Sequence, residues 1–144
     1  MSQPTGLPPK PRPRLDGPER PFWLGLRERE IRVQRCTACG HRRFPASRFC
    51  PECHSDAFAW EAVGTTGSVE TFCVFHKAYF PGFLGEMPYA VVQVRLDDGP
   101  RFFSNLVGTR PADIRPGQRV TAVFEDLDAE ATVLKFKLIE GDAA

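Results

Sequence analysis

The sequence predicts a mainly β protein in three parts. A proline-rich arm covers residues 1–20, a helix plus a metal-binding ribbon covers 21–63, and a five-stranded barrel covers 64–144. Three observations point this way. Seven of the 14 prolines lie within the first 21 residues. Four of the five cysteines form two C-x-x-C pairs, Cys36/Cys39 and Cys50/Cys53, with ten residues between the pairs. From Ser68 onward, apolar runs are broken by Gly, Pro and Asp turns at strand-like intervals.

The totals set limits. A chain of 144 residues with 42% hydrophobic content can bury one medium core or two small ones. A net charge of +1 does not announce a nucleic-acid or membrane partner. The basic residues are mostly Arg, and seven Arg fall between Arg27 and Arg48. No apolar run reaches the length of a membrane span, and prolines stand where a secretory leader would have its apolar stretch. Cysteines in a metal pattern suit a reducing compartment, so a cytoplasmic location is expected.

The arm is excluded from helix and inner strand, because proline fixes φ and donates no hydrogen bond. It is either disordered or an extended segment on a surface, with a partner protein as the candidate that would hold it. Pro21 opens a helix of about ten residues, since proline suits the first helical turn. Phe22, Trp23 and Leu26 form its apolar patch, docked either on its own domain or on a partner. Residues 31–35 alternate and lead into Cys36 as the first ribbon strand. Arg42, Arg43 and Phe44 return antiparallel and Pro45 ends them. Residues 58–63 leave the second knuckle as a third strand, and Gly64 and Gly67 bracket a turn.

The remaining strands are expected at 68–77, 89–96, 101–107, 119–125 and 131–139, with one helical turn at 112–114 between the third and fourth of them. Five strands with a helical element in that position is the order of an OB-type barrel. Cys73, between Phe72 and Val74, is expected to be a buried strand residue.

The C-x-x-C turns carry the first chemistry. Each aims two sulfurs at one point, and Gly40 after the first pair allows the backbone to fold beneath it at positive φ. Two such turns face to face give a tetrahedron of Cys36, Cys39, Cys50 and Cys53, which suits structural Zn2+. Two disulfides are the weaker alternative, and rubredoxin-type iron uses the same four ligands. Four thiolates leave zinc no position for a catalytic water, so the metal would contribute folding energy, on the order of 10 kcal/mol, and no catalysis. His41 and His54 flank the knuckles and His76 lies in the first barrel strand. No nucleophile elbow or phosphate-binding glycine motif is present. The chain is expected not to be an enzyme by itself.

Binding has more candidates. Residues 76–85 place Tyr79, Phe80 and Phe83 among glycines and a proline, between the first two barrel strands. They would serve as a plug for the barrel end, as an anchor in a partner, or as a lid over a ligand path. Arg42, Arg43, Arg48 and Lys77 are the cations placed to meet a ligand's phosphate groups. A nucleic-acid module is the competing class. It would interleave basic and aromatic residues on the second and third barrel strands. Arg95, Arg101, Phe102 and Phe103 stand there, with Asp97 and Asp98 at the turn against it.

The ordered set Pro21-Phe22-Trp23, Leu26, Gln34-Arg35-Cys36-x-x-Cys39-Gly40, Phe44-Pro45 and Cys50-Pro51-x-Cys53 resembles a known family. So do Gly67-Ser68-Val69-Glu70-Thr71, Pro88-Tyr89, Leu96-Asp97-Asp98-Gly99 and Gly117-x-x-Val120. That family is the rubredoxin-like zinc-ribbon plus OB-fold family of acyl-CoA-associated proteins, and the likeness runs from about residue 18 to the C-terminus. The resemblance implies an accessory subunit that works with a thiolase-superfamily enzyme or a hotdog-fold hydratase. A retro-aldolase of steroid side-chain β-hydroxyacyl-CoA degradation is the leading expectation, and a CoA thiolase or acyl-CoA hydratase complex is the alternative. It implies a hetero-oligomer, α2β2 by analogy with thiolase dimers. Phe22, Trp23, Arg42, Arg43, Lys77, Tyr79, Phe80 and Phe83 are the expected partner or acyl-CoA contacts. The tail after Lys137 is expected to cross to the partner.

Overall fold

The computed structural model describes Gly6 and residues 8–139. Helix α1 spans Arg20–Arg27, with Pro21 in its first turn, where the missing N–H costs nothing. Phe22, Gly25 and Leu26 are its buried residues and share one face at i, i+3 and i+4 spacing. The ribbon follows as β1 (Ile31–Cys36), β2 (Arg42–Arg43) and β3 (Phe58–Val63), an antiparallel sheet of order β2-β1-β3. Gln34 faces Arg43 across one pairing, and Ile31 faces Val63 across the other.

The barrel comprises β4 (Thr66–Phe75), β5 (Tyr89–Leu96), β6 (Arg101–Asn105), β7 (Arg119–Asp126) and β8 (Thr132–Leu138), in the order β6-β5-β4-β7-β8. A parallel bridge between Leu106 and Phe136 joins the two edges. There the Val107 N–H donates to the Phe136 carbonyl at 2.8 Å, and the Ser104 hydroxyl donates to the Leu134 carbonyl. A three-strand meander, a fourth strand beside the first, and a fifth parallel to the third make the OB arrangement. The helical element between its third and fourth strands is a 3-10 turn at Pro111–Asp113, one residue earlier than expected.

Two expectations for β4 are corrected. Gly67 lies inside the strand and not in a turn, and a Cβ there would collide with the Arg95 carbonyl oxygen of β5. The close approach of the two strands requires a residue without a side chain. Cys73 is exposed, not buried. A bulge between Val69 and Thr71 inserts Glu70 without a partner in β5. It switches the inward face from Gly67 and Val69 to Phe72 and Val74, which turns Cys73 outward.

Helix, ribbon and barrel share one core. Phe22, Leu26, Ile31 and Val33 join Val92, Val94, Ile114 and Phe136 in a single buried cluster. The described part of the arm, for which a partner's surface is the expected support, rests on this chain's own barrel, while residues 1–5 and 7 lie outside the described residues. Lys10 pairs with Glu86 at 2.6 Å, and Arg12 pairs with Asp128 at 2.7 Å. Of the tail expected to reach a partner, residues 140–144 lie outside the described residues, while Ile139 donates its N–H to the Arg119 carbonyl of this chain. No helix among the described residues is long and apolar enough to cross a membrane.

Candidate metal centre and docking loop

The two knuckles are built alike. After the first, the Gly40 N–H donates to the Cys36 carbonyl at 2.8 Å. After the second, the His54 N–H donates to the Cys50 carbonyl at 2.9 Å. Gly40 (φ 83) and His54 (φ 65) occupy the same left-handed position behind their second cysteines. Sequence reading recognises that requirement at Gly40 but not at His54, where a β-carbon is carried into strained backbone.

The four sulfurs lie within 4.8 Å of one another. Cys36 and Cys53 stand 3.5 Å apart, and Cys39 and Cys50 3.6 Å apart. A tetrahedron with zinc–sulfur bonds of about 2.3 Å has edges near 3.8 Å, so these donors fit such an ion. Backbone amides of Cys39 and Ala38 hold the Cys36 thiol down to about 6. Cys50 is also lowered: burial opposes ionisation there, but the amides of Cys53 and Glu52 outweigh it. At Cys39 the His41 amide favours the thiolate, yet burial and the three neighbouring sulfurs push the thiol up to about 12. At Cys53 the Ser55 amide is likewise outweighed, by Cys36 and burial, and the thiol rises. Four sulfurs this close cannot all carry charge unless a cation compensates them.

Two of the cations expected near the knuckles, Arg43 and Arg42, are engaged within this chain. Arg43 is buried; its Nε donates to Gln34 Oε1 at 3.0 Å, its Nη2 donates to the Ser47 carbonyl at 3.0 Å, and its guanidinium lies over Phe58. Gln34 Oε1 also accepts from the Ser47 N–H at 2.9 Å, so this buried pair ties the inter-knuckle loop to β1. Arg42 forks onto Glu61 at 3.2 and 3.1 Å and reaches the Asp98 carbonyl at 3.3 Å, linking ribbon to barrel. Arg48 lies over the exposed ring of Phe49, and Lys77 over Tyr79.

Phe22 faces inward, with its ring centroid 4.8 Å from Phe44 and 6.0 Å from Phe102. Trp23 is half-buried beside it and lines a groove of about 340 Å³ with Leu15, Arg20, Leu24, Arg27 and Glu130. The aromatic residues after β4 are different. Tyr79 is 65% exposed, Phe80 53% and Leu84 57%; the first two precede a 3-10 helix at Pro81–Glu86 and Leu84 lies within it. Phe83 turns the other way, against Tyr89 at 5.4 Å. The loop is thus half plug and half exposed apolar surface. Phe49 is an exposed aromatic that sequence reading did not nominate, and Phe103, considered there only for the nucleic-acid class, is exposed as well. For Phe103 the signal was present, since Phe102 and Phe103 are adjacent in a strand and only one of them can face inward.

Residues 23–59 match the family model of the ChsH2 rubredoxin-like zinc ribbon domain, and residues 60–125 match that of the ChsH2 C-terminal OB-fold domain. A DUF35 domain-containing scaffold protein of Methanocaldococcus jannaschii is 32% identical over 82% of this chain and 89% of its own length. A probable enoyl-CoA hydratase alpha subunit of Thermomonospora curvata is 37% identical over 89% of this chain, which spans only 40% of that protein. The 3-oxo-4,17-pregnadiene-20-carboxyl-CoA hydratase alpha subunit of Mycobacterium tuberculosis is 30% identical over 73% of this chain and 33% of its own length. Among solved structures, the Ltp2-ChsH2(DUF35) aldolase superposes with a TM-score of 0.79 and 33% identity, over 88% of this chain and 98% of that one. The four-sulfur ribbon, the closed barrel and these matches together place the chain in the DUF35 family, as a member built from ChsH2-type zinc-ribbon and OB-fold domains.

Proposed function

We propose that this chain is a non-catalytic accessory subunit of a thiolase-superfamily acyl-CoA enzyme, which it joins in a hetero-oligomer, α2β2 by analogy with thiolase dimers. The observation that carries this reading is the match over 98% of the DUF35 chain in the aldolase structure. In this reading the partner is a retro-aldolase acting on a β-hydroxyacyl-CoA, with a steroid side chain as the substrate class, and the aldolase title of that structure supports it. The hydratase names of two relatives favour a second reading, in which the partner is an acyl-CoA hydratase.

Cys36, Cys39, Cys50 and Cys53 would hold one Zn2+ in a structural role. Its four thiolates leave no open position for water, so in this reading the ion stabilises the ribbon and leaves the chemistry to the partner. The exposed face of Tyr79, Phe80 and Leu84 is the docking surface, since aromatic anchors dominate interface energy. Lys77 beside Tyr79 and the solvent-facing Arg48 remain the cations placed to meet an anionic ligand such as a CoA phosphate. Nothing in this role requires export, and the intended setting is the cytoplasm.

Co-expression of a tagged chain with thiolase-superfamily proteins of the same organism tests the assignment. The expected result is one stoichiometric complex. Failure of any acyl-CoA enzyme to co-purify, together with tight single-strand nucleic-acid binding at physiological salt, would overturn it.

A further inference from the structure

The loop after β4 is poorly supported by the barrel beneath it. Residues 76–88 connect β4 to β5, and their only regular element is the 3-10 helix at Pro81–Glu86, which has no side-chain cap at its N-terminus. Phe83, the ring that turns inward, is flanked by two clefts of about 200 and 120 Å³, one shared with Pro88 and Tyr89 and the other with Ser104 and Leu134. A loop so loosely underpinned belongs to the low-stability part of a fold unless something else holds it.

That support comes from the arm. Lys10 Nζ makes an ion pair with Glu86 at 2.6 Å and lies 5.2 Å above the Phe83 ring. Only 13% of the Lys10 side chain is exposed. Gly82 is buried against the arm's backbone, and a Cβ there would stand 2.9 Å from the Lys10 nitrogen and 3.0 Å from the Pro8 carbonyl oxygen. Further on, Arg12 is moored to Asp128 at 2.7 Å, at the β7–β8 turn. Prolines at 8, 9, 11 and 13 keep this segment extended, so little entropy is lost when it lies down. The contacts are specific in charge, in shape and in backbone approach; those of Lys10 and Pro8 fall on the aromatic loop, and that of Arg12 on the β7–β8 turn.

We propose that residues 8–12 are a strap that fixes the aromatic loop in its presented conformation, with Lys10 as the positioning residue and Gly82 as the seat. The strap stands on these contacts alone; its consequence for assembly rests on the docking surface proposed above. The strap is pulled taut between Glu86 and Asp128, and the outward face of Tyr79, Phe80 and Leu84 stays uncovered.

Hydrogen exchange of the full chain tests the strap without any partner. Lys10→Glu removes the ion pair and Gly82→Ala displaces the arm's backbone, while neither changes an exposed aromatic residue. Both variants should accelerate exchange of amides 80–87 by about tenfold while the β5 amides keep their wild-type rates. The double variant Lys10→Glu/Glu86→Lys restores opposite charges and should recover at least half of the lost protection. Loop rates within about twofold of wild type in either single variant, or no recovery in the double variant, would overturn the strap. Partner affinity is read separately. Fast loop exchange with unchanged affinity for the catalytic subunit leaves the strap intact and removes this loop from the docking surface.

Discussion

The ring of Phe44, just after the ribbon's β2 strand, lies on the ring of Phe102 in β6 of the barrel, with centroids 4.2 Å apart and planes tilted by 30°. Phe22 of α1 packs on both. Three elements that are separate in sequence therefore meet in one aromatic cluster, and the ribbon is seated on the barrel.

This seat makes unfolding a shared event. Phe102→Ala should destabilise the protein by about 3–5 kcal/mol, the usual cost of removing a buried aromatic ring. Ribbon and barrel signals should still melt together in denaturant titrations followed by metal release and by far-UV circular dichroism. Separate midpoints in the wild type would show that the two halves do not share their core.

Metal should be worth more than any side chain. One equivalent per chain is expected, colourless as purified, with cobalt giving tetrahedral thiolate absorption on exchange. Removing it with a strong chelator should cost on the order of 10 kcal/mol in ribbon stability and unfold residues 31–63 first. A red protein with iron absorption would reassign the ion while leaving the ligands in place.

The matched knuckle positions give an asymmetric pair of substitutions. Gly40→Ala forces a β-carbon into φ 83 and should cost about 1–2 kcal/mol. His54→Gly at φ 65 removes a strain already present and should be neutral or stabilising by up to about 1 kcal/mol. Thermal melts of the metal-loaded variants measure both, and equal losses at the two sites would contradict the symmetry drawn between the knuckles.

Acid should loosen the sheet face at Glu70. The Arg101 guanidinium, helped by Gln93 and Arg95, holds the Glu70 carboxyl down to about 2, and Arg119 with Thr66 holds Asp97 down to about 2. Both are carboxylates with a folded pKa below the unfolded value near 4, so their stabilisation is present above about pH 4 and lost as pH falls towards 2. The melting-temperature gap between wild type and Glu70→Gln should be largest near neutrality, shrink through that window and narrow in high salt. A gap that is constant with pH would remove Glu70 from the ion-pair network.

Much of this was legible in the sequence because local rules set it. The C-x-x-C spacing brings four sulfurs together whatever the surroundings, and β3 and β5 fall where alternation and turn residues place them. Features that depend on pairing were not legible. The bulge at Glu70 leaves no mark in composition, yet it decides which way Cys73 faces. Phe22 and Arg43 look like contact residues by type, and only the fold shows Phe22 buried against Phe102 and Arg43 buried beside Gln34. The arm's docking on Glu86 and Asp128 joins residues more than seventy positions apart, beyond any local pattern.

The proposed docking surface predicts a separation of effects. Tyr79→Ala and Phe80→Ala remove exposed rings, so stability should change by less than about 0.5 kcal/mol while affinity for the catalytic subunit falls by about tenfold or more. Affinity measured by interferometry beside thermal melts distinguishes the two, and a loss of stability without a loss of affinity would assign the loop to the core.

The most direct test is reconstitution of acyl-CoA turnover with three samples: this chain alone, the catalytic partner alone, and both together. The account predicts no turnover by this chain, low or absent turnover by the isolated partner, and full activity in a co-eluting complex. Turnover by this chain on its own, or a partner whose rate and elution do not change when it is added, would contradict it.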